Sequence, residues 1–180
     1  LGIPLLVYDE VVGVMAVKTQ ELDAYSRDDL RVLTTIADQA AVALENARLY
    51  ELATVDGLTG LFVRRYFDHR LIEEWDRSGR YETPFAVALF DLDNFKGLND
   101  TYGHQVGDEV LRVAAEVVRA NMRTFDVAAR YGGEEFGFIY PRTDLAEARK
   151  VAERIRTDLE RATIQTSGGE INVTASIGLA

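Results

Sequence analysis

The chain has 180 residues, 47% of them apolar and 28% charged, with a formal net charge of -10 and no cysteine. That is the make-up of a globular protein long enough for one domain and a fraction of another. It excludes disulfides, thiolate metal sites and cysteine nucleophiles, argues against nucleic acid as a partner, and holds no apolar run of membrane-spanning length. The lack of cysteine suits a reducing, cytoplasmic setting.

Residues 5–7 and 11–17 read as two short strands flanking Asp9 and Glu10. Ser26 then offers an N-cap, with Asp28 and Asp29 in the first turn of a helix that runs to about residue 53. Leu30, Leu33, Ala37, Ala40, Leu44 and Ala47 recur along it at alternating spacings of three and four. Such a stripe is either a coiled-coil seam or the face that a helix packs on its own domain. At ~1.5 Å per residue the helix is about 40 Å long, enough to leave one domain and enter another.

Asp56-Gly-Leu-Thr-Gly60 breaks this helix, and alternating helices and strands follow. Residues 64–78 are helical in pattern. Residues 85–90, Phe-Ala-Val-Ala-Leu-Phe, have no polar side chain and read as a buried strand. Residues 99–108 have the polar, glycine-punctuated composition of a connection between helices. Residues 106–122 then place Val106, Val110, Val113 and Val117 on one side of a helix. Residues 127–131 and 135–140 form a hairpin about Gly132 and Gly133. A helix over 145–162 follows, and then a closing hairpin of 163–166 with 171–177, turned at Gly168 and Gly169. This order predicts an α+β fold with helices packed on a mostly antiparallel central sheet.

Asp91 and Asp93 follow the apolar strand, and a strand continuing through them would point both carboxylates to one face. Hard oxygen ligands at a strand end suit Mg²⁺ and phosphate chemistry, although solvated acids and helix caps look the same in a sequence. Glu134 and Glu135 form a second acidic pair, in the hairpin turn. If the two strands pair, Asp91 and Glu134 converge on one cation. Asn99 and Asp108 bring an amide and a carboxylate that suit a base edge, while His104 serves equally as a cap or a packing residue.

Several motifs stand in an order and spacing similar to the GGDEF family of diguanylate cyclases. They are Asp56-Gly-Leu-Thr-Gly-Leu61, Phe90-Asp-Leu-Asp-Asn-Phe-Lys96, Asn99-Asp100, Tyr102-Gly-His-Gln-Val-Gly-Asp108 and Arg130-Tyr-Gly-Gly-Glu-Glu-Phe136. The resemblance covers residues 56–180. Residues 1–49 resemble the end of an α+β GAF sensory domain with the start of a signalling helix, and 50–55 make a helical linker. The resemblance implies a palm-type, nucleotidyl-cyclase-like domain. Such a domain condenses two GTP molecules into cyclic di-GMP and two pyrophosphates, works as a homodimer, and is switched by its sensory domain.

On that resemblance Asp91, Glu134 and the Leu92 carbonyl hold two Mg²⁺ ions per site, with Mn²⁺ as an alternative. Glu134 also accepts a proton, and Lys96 stabilises charge on the phosphates. Asn94, Phe95, Asn99, His104, Asp108, Gly132 and Gly133 bind the nucleotide. Arg123 and Asp126, with Arg154 as a further arginine, form a site where cyclic di-GMP inhibits. Two departures stand out. Val63 replaces the family's usual Asn, and the family's further helix, whose Lys and Arg bind phosphates, does not follow Ala180. The domain is therefore expected to be truncated, unstable and inactive by itself, with about 40 further residues restoring both properties. The rival readings are an inactive module that binds GTP or cyclic di-GMP, and a cyclase acting within one ATP.

Overall fold

In the computed structural model, which describes residues 1–8, 10–20, 24–167 and 169–180, the chain divides into the units Leu1–Ala53 and Thr54–Ala180. In the first, β1 (Gly2–Val7) and β2 (Glu10–Ala16) make an antiparallel hairpin with a register break between Leu5 and Leu6. Asp9, expected at its turn, lies outside the described residues. The helix α1 (Arg27–Thr54) opens on a reciprocal cap. The Asp29 amide donates to the Ser26 hydroxyl at 3.2 Å, and the Ser26 amide donates to the Asp29 carboxylate at 2.8 Å. The Ser26 hydroxyl and amide hold the Asp29 pKa below its ordinary value.

Ile3 and Leu5 pack on Ala37 and Ala41, with Leu33 and Ala40 beside them. The stripe that reads as either a coiled-coil seam or a packing face is thus divided. Leu33, Ala37 and Ala40 are used within the unit, because small alanines let the hairpin lie close to the helix, whereas Leu44 (53% exposed) and Ala47 remain exposed.

The second unit runs β3 (Phe62–Val63), α2 (Arg64–Tyr81), β4 (Phe85–Leu92), α3 (Phe95–Tyr102), α4 (His104–Asn121), β5 (Val127–Arg130) and β6 (Glu135–Pro141). It ends with α5 (Leu145–Arg161), β7 (Ile164–Thr166), β8 (Gly169–Ile171) and β9 (Ala175–Leu179). Five strands form one sheet in the order β3-β5-β6-β4-β9, parallel only between β3 and β5. On one face Phe90 and Leu92 meet Phe136 and Phe138 of β6, Val110 of α4 and Ile155 of α5. On the other, Phe67 of α2 covers Val127, Ala129 and Ile139.

Three expectations need correction. The apolar run 85–90 suggests burial on both faces, yet Leu89 is 49% exposed, because α2 packs chiefly on β5 and β6 and less on β4. Residues 99–108 are not a loop. They lie in α3 and α4, which meet at Gly103 alone, at a φ of 85° that glycine adopts without strain. The closing hairpin is split: among the described residues β7 pairs with β8, and β9 leaves to join the edge of β4. Gly168, expected in its turn, lies outside the described residues. The Asp93 carboxylate accepts hydrogen bonds from the hydroxyls of Thr174 at 2.6 Å and Ser176 at 2.8 Å, tying β9 to the end of β4.

Among the described residues no helix is long and apolar enough to cross a membrane. Phe138 is fully buried between Phe90 and Tyr140. Phe138→Ala should therefore lower unfolding free energy by about 3–5 kcal/mol in urea titrations, and a loss under about 1 kcal/mol would contradict this packing.

Candidate active site

The register of β4 on β6 places Phe90 across from Phe136 and Asp91 across from Glu135. One residue on, the Leu92 amide donates to the Glu134 carbonyl at 3.4 Å. The backbone thus brings Asp91, Leu92 and Glu134 side by side at one sheet end. Asp91 is exposed and Glu134 half-buried. Among the described residues neither carboxylate has a hydrogen-bond or ion-pair partner. No group of three or more acidic, His or Cys side chains able to hold a metal occurs among the described residues. The set expected from the sequence differs in kind, with two carboxylates and a carbonyl. Asp93 does not join it. The strand ends at Leu92, and the Thr174 and Ser176 hydroxyls occupy its carboxylate and lower its pKa.

The turn is built tightly. The Tyr131 and Gly132 amides donate to the Glu135 carbonyl at 2.8 and 3.1 Å. A Cβ at Gly132 would stand 2.2 Å from the Glu135 carboxylate, so that side chain, folded back over the turn, fills the space the glycine leaves. Gly133 has no neighbour within 4 Å of such a Cβ and is the open glycine of the pair.

A brace that the sequence reading did not single out fixes this turn from behind. Arg130 donates from Nε and Nη2 to the Gly133 carbonyl at 3.1 and 2.9 Å, and its Nη1 lies 3.4 Å from Asp56. Asp56 Oδ1 also accepts from the Thr59 amide at 2.9 Å and the Thr59 hydroxyl at 2.6 Å. Arg119 of α4 donates to the Thr59 carbonyl. Burial opposes the charge on Asp56, but the Thr59 bonds and the Arg130 guanidinium outweigh it and hold its pKa below the ordinary value. The brace is therefore complete near neutral pH and is lost only as pH falls below the usual carboxylate range.

On the other side of Asp91 the chain turns from β4 into α3 through Asn94, at a φ of 55°. Lys96 is exposed in the first turn, and the Phe95 side chain is buried, so Phe95 serves the core. The Asn99 Oδ1 atom is buried without a partner among the described residues, and a Cβ at residue 107 would stand 2.0 Å from it. Gly107 thus makes the room that Asn99 occupies between α3 and α4. Asp108 follows on α4, half-buried, while His104 is exposed at the start of that helix, and so not a packing residue.

Arg123 and Asp126 close a separate turn on themselves: the Arg123 amide donates to Asp126 Oδ2 at 2.8 Å, and the Asp126 amide to the Arg123 carbonyl at 3.1 Å. Arg154 of α5 reaches the same corner, donating to the Asn121 side chain and, at 3.1 Å, to its carbonyl. Burial pushes the Asp126 carboxyl up, against the Arg123 amide and guanidinium. A groove of about 450 Å³ beside this turn gathers Arg70, Arg77 and Arg142, which no local sequence signal singles out.

Residues 53–180 match the family model described as diguanylate cyclase, GGDEF domain. The chain belongs to the GGDEF family. Residues 1–45 match the GAF domain model. Diguanylate cyclase A of Treponema denticola is 36% identical to the chain over 182 residues, covering 98% of this chain and 49% of the relative. The chain spans about half, or less, of the length of the curated relatives it matches. The coiled coil and GGDEF domain of DgcB from Caulobacter crescentus, solved in complex with c-di-GMP, is similar at a TM-score of 0.78 and 32% identity, covering 86% of this chain and 82% of that one. The active GGEEF domain of a diguanylate cyclase from Vibrio cholerae has a TM-score of 0.56 and 29% identity, covering 59% and 67%.

The brace of the GGDEF domain can be tested without turnover. In Arg130→Ala, amide exchange at Tyr131 and Gly132 should quicken about tenfold or more while the β4 amides stay protected. Unchanged exchange at the turn would mean that Arg130 does not hold it.

Proposed function

We propose that the chain is the catalytic part, with a piece of the sensory part, of a diguanylate cyclase that makes cyclic di-GMP and two pyrophosphates from two GTP molecules. The hydrogen bond between the Leu92 amide and the Glu134 carbonyl carries this reading, because it sets two unpartnered acids beside one another at a sheet end. The donors are hard oxygens suited to a small divalent cation, Mg²⁺ or Mn²⁺, with Asp91, Glu134 and the Leu92 carbonyl as the holding groups. Bound ions there supply Lewis acidity at the α-phosphate and lower the pKa of a 3′-hydroxyl.

The chain's own residues do the rest. Glu134 accepts the proton of the 3′-hydroxyl as its oxygen bonds to the α-phosphorus of the second GTP, and the bond to the β-phosphate breaks to release pyrophosphate. The same step in the opposite direction closes the ring. Lys96 offsets charge on the phosphates. Asn99 and Asp108 take the guanine, with His104, Asn94 and the Phe95 backbone around the ribose and phosphates, and Gly133 leaves its backbone open to them. The active GGEEF domain from Vibrio cholerae supports Glu in the position of Glu134.

Each protomer binds one GTP, so two copies act face to face. The domain bounds we adopt are 1–49 for the sensory part, 50–55 for the linker and 56–180 for the cyclase. Product inhibition is assigned to Arg123, Asp126 and Arg154, and the DgcB structure solved with c-di-GMP supports product binding by this kind of domain.

In the full-length protein, Asp91→Asn and Glu134→Gln should each cut cyclic di-GMP formation from GTP by about 10²–10³-fold or more, with unchanged melting temperature. Near-normal turnover of Glu134→Gln would remove the assignment. Arg123→Ala should relieve inhibition in progress curves run with added cyclic di-GMP, and an unaltered inhibition constant would sink the regulatory reading.

A further inference from the structure

Tyr140 stands in a row of β6 side chains that are otherwise hydrocarbon, with Phe136 and Phe138 on the same face. It is 1% exposed, and among the described residues its buried hydroxyl has no hydrogen-bond partner. A phenylalanine would fill the same space without leaving a polar atom stranded, so the hydroxyl calls for a role. One other atom nearby has the complementary deficit. Asp126 Oδ1 is buried and also unpartnered, while Oδ2 already accepts from the Arg123 amide.

The sheet puts these two residues together. Val127 pairs with Ile139 and Ala128 with Phe138, and the same register carried one residue further sets Asp126 across from Tyr140 on the same face. Asp126 and Arg154 are the charged groups that act on the Tyr140 hydroxyl, and burial raises its pKa well above the usual phenol value, so it remains a donor. We infer that Tyr140 is a positioning residue of the inhibitory site, pairing its hydroxyl with Asp126 Oδ1 when cyclic di-GMP occupies the Arg123–Asp126 turn. The carboxylate is then held from both sides, by the Arg123 amide outside and the Tyr140 hydroxyl within. This inference rests on the assignment of that turn as the product site.

The test is calorimetric titration of the full-length protein with cyclic di-GMP, using Tyr140→Phe, Asp126→Ala, their double variant and Arg123→Ala. Tyr140→Phe should keep the melting temperature and weaken binding about three- to tenfold, the worth of one hydrogen bond. The double variant should bind no worse than Asp126→Ala alone, since Tyr140 acts only through Asp126 and alanine leaves no acceptor for its hydroxyl. A purely structural Tyr140 would instead add its loss to that of Asp126→Ala, which overturns the inference. Unchanged affinity in Tyr140→Phe together with weakened binding in Arg123→Ala overturns it as well and leaves the product site standing. Unchanged affinity in both Arg123→Ala and Asp126→Ala removes the product site, and the role of Tyr140 with it.

Discussion

Seven cross-strand pairs between β4 and β6, from Phe85 with Pro141 to Asp91 with Glu135, determine what the GGDEF domain presents at its acidic end. Side chains alternate along a strand, so a slip of β4 by one residue would turn Phe90 away from Phe136 to the other face and drive Asp91 into the core. Phe90 meets Phe136 edge to face at 5.2 Å between ring centroids, and Phe138 lies next along the row. Hydrocarbon packing thus fixes the register, and the position of the carboxylates follows from it. Asp91 sits where the apolar strand stops, one residue past its last aromatic pair.

The acids around this end sort by their partners. Asp56 is committed to Thr59 and Arg130, and Asp93 to Thr174 and Ser176, with both pKa values lowered. These two belong to the scaffold: one anchors the turn that carries Glu134, the other ties β9 against β4. Asp91 and Glu134 have no such commitment among the described residues, although the backbone sets them close together.

Much of this was legible in the sequence because it is local. The β4 and β6 strands, the helices α4 and α5 and the acidic turn all announce themselves through periodicity and glycine placement. The brace is not local: Asp56 and Arg130 lie 74 residues apart, and only the fold shows that one holds the other. Asp93 looked like a ligand because D-x-D spacing is blind to where a strand ends. The stripe on α1 had two physical readings with one pattern, and the β1–β2 hairpin uses part of it. Gly107 was read only as part of a motif, whereas its reason is steric, since Asn99 fills the place of its missing Cβ. The orphaned hydroxyl of Tyr140 is likewise invisible in a run that reads simply as core.

The central claim is that Asp91 and Glu134 act on the same ion. Mn²⁺ binding to the full-length protein, followed by electron paramagnetic resonance in the presence of a non-hydrolysable GTP analogue, tests it most directly. Asp91→Asn, Glu134→Gln and the double variant should all weaken Mn²⁺ binding to a similar extent, because removing either carboxylate dismantles one shared site. Independent, multiplicative losses in the double variant, or full Mn²⁺ affinity in either single variant, would contradict it.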